Sequence, residues 1–369
     1  MEKVRLEEVS KKRSSNLAQK DVEGLNGDYP IYGAAGYIGN VDFYHQEDDY
    51  VAVVKDGAGI GRTMFLPAKS SVIGTLQYII PEKNVLPKYL YYAVKNMKLA
   101  KYYTGATIPH IYYKDYKKET FWLRGIPEQK QIVTILEKVE KVINEFKELK
   151  NRLDDLVQYR FVEMFGDPET NLLNWGRVTV GELILKCESG WSGNGKQKTK
   201  MPGEIAVLKV SSVTKGYFIP EECKVLEDQE NIKKLVYPQS GDLLFSRANT
   251  KEMVGASAVI KEDFPELILP DKLWKIRFKE MTNVFYMKQV LSSKAIRKKI
   301  SAVSTGTSGS MYNVSMEKFR GIQIPVPPLK LQNQFATFVH QIDKSKVSIQ
   351  KALDKTQTLL DSLMQQYFG

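Results

Sequence analysis

Two long stretches of the chain repeat apolar residues at alternating spacings of four and three. The first runs Ile132, Leu136, Val139, Ile143, Phe146, Lys150, Leu153, Val157, Arg160, Met164. The second runs Phe335, Val339, Ile342, Lys346, Ile349, Leu353, Thr356, Leu360, Leu363, Tyr367, at a constant offset of 203 residues. Lys, Glu, Gln and Asp fill much of the space between, and neither stretch contains Pro or Gly. The spacing predicts two amphipathic helices of heptad type, over 127–166 and 327–369. Pro127 and Pro328 fall where a helix start tolerates a missing N–H, and Gly166 falls where a C-cap glycine belongs. At about 1.5 Å per residue each helix is about 50 Å long or more. A heptad seam needs a partner, and its twin is the expected one. An antiparallel pair would meet through Ile132, Leu136, Val139, Ile143, Phe146 and Leu153 on one helix. The other would supply Val339, Ile342, Ile349, Leu353, Leu360 and Leu363; these residues also count as candidate partner contacts. Lys150, Arg160 and Lys346 interrupt the seam; they would face Ile349, Val339 and Leu153, with stems packed and charges reaching water.

The rest of the chain mixes short β-type runs with turn residues. Within 1–126, strands are predicted at 50–54, 72–73 and 78–80, broken by Gly33, Gly36, Gly39, Gly57, Gly59 and Gly61, with a helix over 86–100. Within 167–326, strands are predicted at 205–210, 242–246, 256–260 and 273–278, with a helix near 284–300. The two blocks share landmarks. Thr104-Gly105 answers Thr305-Gly306, and Pro127 answers Pro328, at an offset of 201. Gln129 and Gln131 answer Gln332 and Gln334, and Phe165-Gly166 answers Phe368-Gly369, at 203. Solenoid units run to about 20–50 residues, so this period reads as a tandem duplication. The expected fold is α+β: domain one over 1–126, a long helix over 127–166, domain two over 167–326 and a second long helix over 327–369. The whole would carry a pseudo-two-fold internal repeat, its two domains separated by a pair of antiparallel coiled-coil helices.

Composition narrows the function. A chain of 369 residues with 54 Lys plus Arg against 43 Asp plus Glu has a net charge of +11. The excess sits mainly in the two large blocks, which suits a phosphate backbone as partner. Cys187 and Cys223 are too few for a disulfide framework, and His45, His110 and His340 are scattered, so no metal site is expected. No run of eighteen apolar residues is present, so no membrane span is expected. The opening stretch MEKVRLEEVSKKRSSN lacks the apolar centre of a secretory signal, and a cytoplasmic location is expected.

Motif chemistry is sparse. Gly190, Gly195 and Lys196 have the spacing of a phosphate-binding loop, but Gln197 stands where Ser or Thr holds magnesium. A flexible basic loop is the preferred reading; a nuclease or nucleotide-dependent DNA-processing enzyme built on this loop is the alternative. Gly57, Gly59 and Gly61 follow a strand beside Lys55 and Arg62, which suits close phosphate approach or a plain turn. Glu222-Cys223-Lys224 matches the E-x-K of some nuclease sites. Neither an amino-methyltransferase tetrapeptide nor a Ser/His/Asp elbow is found. What recurs is a polar and aromatic loop before each long helix. One copy includes Thr107, His110, Tyr112 and Lys114; the other includes Ser310, Tyr312 and Asn313. Arg247, Asn249 and Lys251 follow the run Asp242-Leu243-Leu244-Phe245-Ser246. Such side chains bond to phosphates and base edges. Lys55, Arg62 and these ten residues are the candidate DNA-binding set, although any one of them could simply hold its own turn.

This arrangement resembles the specificity (S) subunit of type I restriction–modification enzymes. The resemblance covers the whole chain. It rests on the duplicated order, on Thr104-Gly105 through Gln131 and Thr305-Gly306 through Gln334, and on the run from Gly241 to Arg247. The first block has only a looser counterpart of that run, Asp49 to Lys55. The resemblance implies two target recognition domains on double-stranded DNA and a chain that is not itself catalytic. It implies helices that bind two methylation subunits, with restriction subunits joining them. No cofactor is expected in this chain; S-adenosylmethionine, ATP and magnesium belong to the partners. Half-site spacing is expected to follow helix length, with DNA rising about 3.4 Å per base pair.

Overall fold

Both heptad stretches fold as uninterrupted helices of 40 residues, Ile126–Phe165 and Leu329–Phe368. The computed structural model describes residues 1–105, 109–306 and 311–369. Thr107 and Ser310 lie outside the described residues. The chain divides into two compact units, residues 1–149 with 349–369, and residues 150–348. Each unit therefore holds the beginning of one long helix and the end of the other. In unit 1, Ile132, Leu136 and Ile143 share a core with Leu360, Met364 and Phe368. In unit 2, Phe161 and Phe165 share a core with Phe335. Start meets end each time, so the helices are antiparallel. Val139, Leu353 and Leu363 pack against the first core and Val339 against the second. Ile342 is buried, while Phe146, Leu153 and Ile349 are half-buried. Of the seam charges, the amine of Lys346 is engaged by Asp154. Arg160 bonds Glu163 at 2.8 Å, and its guanidinium carbon lies 5.9 Å from the ring centre of Phe338.

In unit 1 the run Tyr50–Val54 is buried at every position, as a strand covered on both faces must be. It lies between Leu76–Pro81 and Thr63–Leu66 in a four-stranded antiparallel sheet whose far edge is Ser10–Ser14. A second sheet joins Gly36–Val41, Tyr29–Gly33 and Ser71–Val72. The helix expected over 86–100 is shorter, Pro87–Asn96. It stops because Lys98 takes a left-handed φ of 50°, after which a 3-10 turn, Leu99–Tyr102, follows.

Unit 2 repeats the plan. Leu243–Ser246 lies between Leu273–Phe278 and Ser257–Val259, with Ile184–Ser189 at the far edge. A second sheet orders Gly195–Lys196, Cys223–Leu226, Ala206–Leu208 and Leu267–Ile268. The single helix expected near 284–300 is two, Val284–Ser292 and Lys294–Val303. Ser293 divides them: its backbone is extended, at φ −61° and ψ 146°, and its Oγ caps the second helix by accepting from the N–H of Ile296.

Three matched contacts tie each unit to the start of its helix. Gln129 is fully buried; its Oε1 accepts from the N–H of Leu86 at 2.8 Å, and its Nε2 donates to the carbonyls of Asn84 and Arg124. Gln332 does the same with the N–H of Asn283 and the carbonyl of Pro327, both at 2.8 Å. The Tyr89 hydroxyl donates to the carbonyl of Trp122, and that of Tyr286 to the carbonyl of Pro325, both at 2.6 Å.

Candidate nucleic-acid interface

The strand Tyr50–Val54 delivers its next residue, Lys55, to a small three-stranded frame. The N–H of Lys55 donates to the carbonyl of Thr75, and its carbonyl accepts from the N–H of Ile111, both at 3.0 Å. Asp56 then bridges to His110, and His110 bridges to Thr104 on its other side. The N–H of Gly57 closes the frame on the carbonyl of Pro109. The glycine loop that follows returns through two bonds, Gly61 N–H to Val54 carbonyl and Val54 N–H to Arg62 carbonyl. Gly61 sits at φ 77°, and a Cβ there would lie 2.4 Å from the backbone nitrogen of Ala100, so a side chain does not fit.

The frame gathers side chains that are far apart in sequence. His110 Nδ1 lies 2.6 Å from Asp56 Oδ1, and Lys55 Nζ lies 3.5 Å from Asp56 Oδ2. The His110 and Tyr112 rings face each other at 6.4 Å and 22°. Lys114 Nζ sits 5.3 Å from the Tyr112 ring centre. Lys55, His110, Tyr112 and Lys114 thus form one exposed or half-exposed cluster. Arg62 belongs to the adjoining turn and donates to the carbonyl of Ala34 at 3.1 Å. Two residues after Lys114, Tyr116 is fully buried; its hydroxyl donates to Gln77 at 3.0 Å, and burial pushes its phenol upward.

Unit 2 builds the same frame bond for bond. Leu243–Ser246 delivers Arg247, whose N–H donates to the carbonyl of Lys272 and whose carbonyl accepts from the N–H of Val314, both at 3.0 Å. Ala248 pairs with Asn313, which pairs with Thr305; Asn249 pairs with Tyr312, which pairs with Gly306. The return bonds recur as Gly255 N–H to Ser246 carbonyl and Ser246 N–H to Ala256 carbonyl. Arg247 therefore stands where Lys55 does, Asn313 where His110 does, and Ala248 where Asp56 does. The Arg247 guanidinium carbon lies 5.8 Å from the Trp274 ring centre, and its buried Nε has no hydrogen-bond partner among the described residues. The side-chain oxygen of Asn249 accepts from the N–H of Thr250. Lys251 is exposed in the turn beyond. The frame draws in Asp56 and Trp274, which are outside the candidate set; only the pairing of distant segments reveals them.

The loop with phosphate-binding spacing has another geometry. Gly195–Lys196 is a strand paired with Val225 and Leu226, with no helix behind it to offer a row of free N–H groups. Lys196 is engaged by Glu227 at 2.8 Å. The expected flexible loop is instead pinned: Trp191 N–H bonds the Leu269 carbonyl, and a Cβ on Gly190 would lie 1.7 Å from that oxygen. Glu222 of the E-x-K tripeptide accepts from Ser211 Oγ at 2.7 Å; that bond and nearby Lys209 hold its carboxyl below the usual range. Burial pushes the Cys187 thiol up to about 12, which leaves it protonated at neutral pH. Among the described residues no group of three or more His, Cys, Asp or Glu could hold a metal ion, and no helix is long and apolar enough to cross a membrane.

Two copies of one frame, each presenting cationic and aromatic groups, with an imidazole in the first and amides in the second, define a recognition protein. The chain matches the family model of the type I restriction modification DNA specificity domain over residues 1–154 and 173–357. It belongs to that family, as a non-catalytic DNA specificity subunit. It is 26% identical over 199 residues to the EcoEI specificity subunit of Escherichia coli, an alignment that covers 52% of this chain and only 33% of that protein's length. It is 23% identical over 359 residues to the EcoKI specificity subunit of Escherichia coli strain K12, covering 87% of this chain and 74% of that one. The crystal structure of a type I system S subunit from M. genitalium shares the fold, with a TM-score of 0.55 at 14% identity, covering 100% of this chain and 96% of that one.

Proposed function

We propose that this chain reads a two-part target on double-stranded DNA, one half-site with each frame, and brings partner subunits to it. In this reading Lys55, Arg62, His110, Tyr112 and Lys114 serve the first half-site, joined by Thr107. Arg247, Asn249, Lys251, Tyr312 and Asn313 serve the second, joined by Ser310. The observation that carries the reading is the matched frame, in which Lys55 and Arg247 leave equivalent strands at equivalent hydrogen-bonded positions. Cations on loops fixed by sheet bonds meet phosphates without a large ordering cost, and neighbouring polar side chains can then reach base edges.

The partners are two methylation subunits, which carry S-adenosylmethionine and modify adenine, and restriction subunits, which use ATP and magnesium. Cleavage and methyl transfer are their chemistry; the long helices are their docking surface. The place of action is the cytoplasm, where the DNA lies.

The test is to express the chain with its methylation subunits and map modified bases in host DNA. Replacing residues 1–125 with the matching block of another specificity subunit should change one half-site and leave the other intact. A change in both half-sites, or in neither, would overturn independent reading by the two frames.

A further inference from the structure

We infer that His110, oriented by Asp56, reads one base of the first half-site through its Nε2 atom, and that the second half-site is read at the equivalent position without an imidazole. The inference rests on the proposed DNA-reading role and names the atom that performs it.

Asp56 stands out because a carboxylate on a DNA-facing cluster repels phosphate. Its place there is explained by the groups it holds. Asp56 Oδ1 lies 2.6 Å from His110 Nδ1, and Oδ2 lies 3.5 Å from the Lys55 amine. An ionised carboxylate can only accept, so the hydrogen of that bond is on Nδ1. With the hydrogen on Nδ1, the neutral form of the ring would offer a bare Nε2. The backbone of His110 is fixed as well, by its own N–H and carbonyl bonded to Thr104 at 2.9 and 3.0 Å. A histidine with both main chain and ring held has lost its rotational freedom before DNA arrives, which is what precise base contact needs. Tyr112 flanks the ring at 6.4 Å.

A bare ring nitrogen accepts, so it suits the exocyclic amino hydrogen of adenine or cytosine in the major groove. Unit 2 places Asn313 where His110 stands and Ala248 where Asp56 stands. Ala248 offers no carboxylate, so no equivalent dyad exists there.

The dyad gives Asp56→Asn a distinctive effect. The new amide can donate to Nδ1, which moves the ring hydrogen to Nε2 and turns the acceptor into a donor. Base preference at one position should switch towards guanine or thymine, whose O6 and O4 accept. His110→Ala should relax that same position, with discrimination falling roughly ten-fold, the worth of about one hydrogen bond. His110→Gln, which keeps a polar group at similar reach, serves if the alanine variant does not accumulate.

The measurement is modified-base mapping of the full complex carrying each variant. A motif altered at one position of one half-site supports the dyad. An unaltered motif with fewer modified sites everywhere would show that Asp56 and His110 only stabilise the frame, and would overturn the inference while leaving the DNA-reading role intact. Changes in both half-sites would overturn it too. Absence of any two-part motif with the unaltered chain would instead remove the role on which the inference rests.

Discussion

The ring of Phe368 lies 4.9 Å from that of Tyr89, and in the other unit the ring of Phe165 lies 5.0 Å from that of Tyr286. The last aromatic of each long helix therefore rests on the tyrosine whose hydroxyl anchors the strand leading into the other long helix. Phe368 is 2% exposed and Phe165 3%. Truncating a buried phenylalanine to alanine costs about 3–5 kcal/mol. Phe368→Ala should lose that much stability, with faster hydrogen exchange confined to unit 1, around residues 87–96 and 120–123. Phe165→Ala should do the same in unit 2. Exchange that rises equally in both units after either change would refute the assignment.

Gln129 offers a sharper test because its amide is used at both ends. Gln129→Glu puts an acceptor against the carbonyls of Asn84 and Arg124, which now accept from Nε2 at 2.9 and 2.7 Å. Each buried group left unpaired costs about 1–3 kcal/mol. The introduced acid would favour its protonated form, whose O–H can donate to one carbonyl, so its ionisation in the folded state shifts upward. The loss should be largest near pH 8 and shrink as pH falls through that raised value. Thermal midpoints of the variant and the unaltered chain at pH 5 and 8 check this; a pH-independent difference would go against it.

Much of the frame supporting this site was legible in the chain, and the reasons differ by residue. The seam was readable because a heptad period is a local property. Phe161, Phe165 and Phe368 lie off that 4–3 track, because the last turn of each helix faces a strand-rich unit and no longer just its twin. The split at Ser293 was hidden because serine reads as an ordinary helix residue until its backbone leaves the helix. Lys55 and Arg247 could be matched through the runs that precede them. Asp56 could not be linked to His110, since their contact spans 54 residues and depends on how the glycine loop folds back.

Lys288 carries a different prediction. Burial pushes its amine down, opposed by Asp154 and Asp343 and reinforced by the like charges of Lys346 and Lys261. A lysine whose folded-state value lies below its unfolded value of about 10.4 costs stability wherever it must stay charged. That cost is in full force below the folded value and is relieved as pH rises from there towards about 10.4. Lys288→Met should therefore stabilise the chain at neutral pH and flatten the alkaline rise in stability. Equilibrium unfolding followed from pH 7 to 10 measures both; a variant less stable than the unaltered chain throughout would show that the amine is well compensated.

Arg247 and Lys55 should separate affinity from specificity. If each contacts one phosphate, alanine at either position lowers the slope of log affinity against log salt by about 0.9. Arg247 has more reach than that. Its guanidinium lies over Trp274, and its buried Nε has no partner among the described residues, so a planar fork is presented in one orientation. Such a fork suits guanine, worth about 1–3 kcal/mol of discrimination. Arg247→Lys should keep the salt slope and still relax one position of the second half-site, while Lys55→Arg leaves the first half-site motif unchanged. Filter binding across a salt series, together with modified-base mapping, reads both quantities. A motif left intact by Arg247→Lys would reduce Arg247 to a phosphate contact like its counterpart.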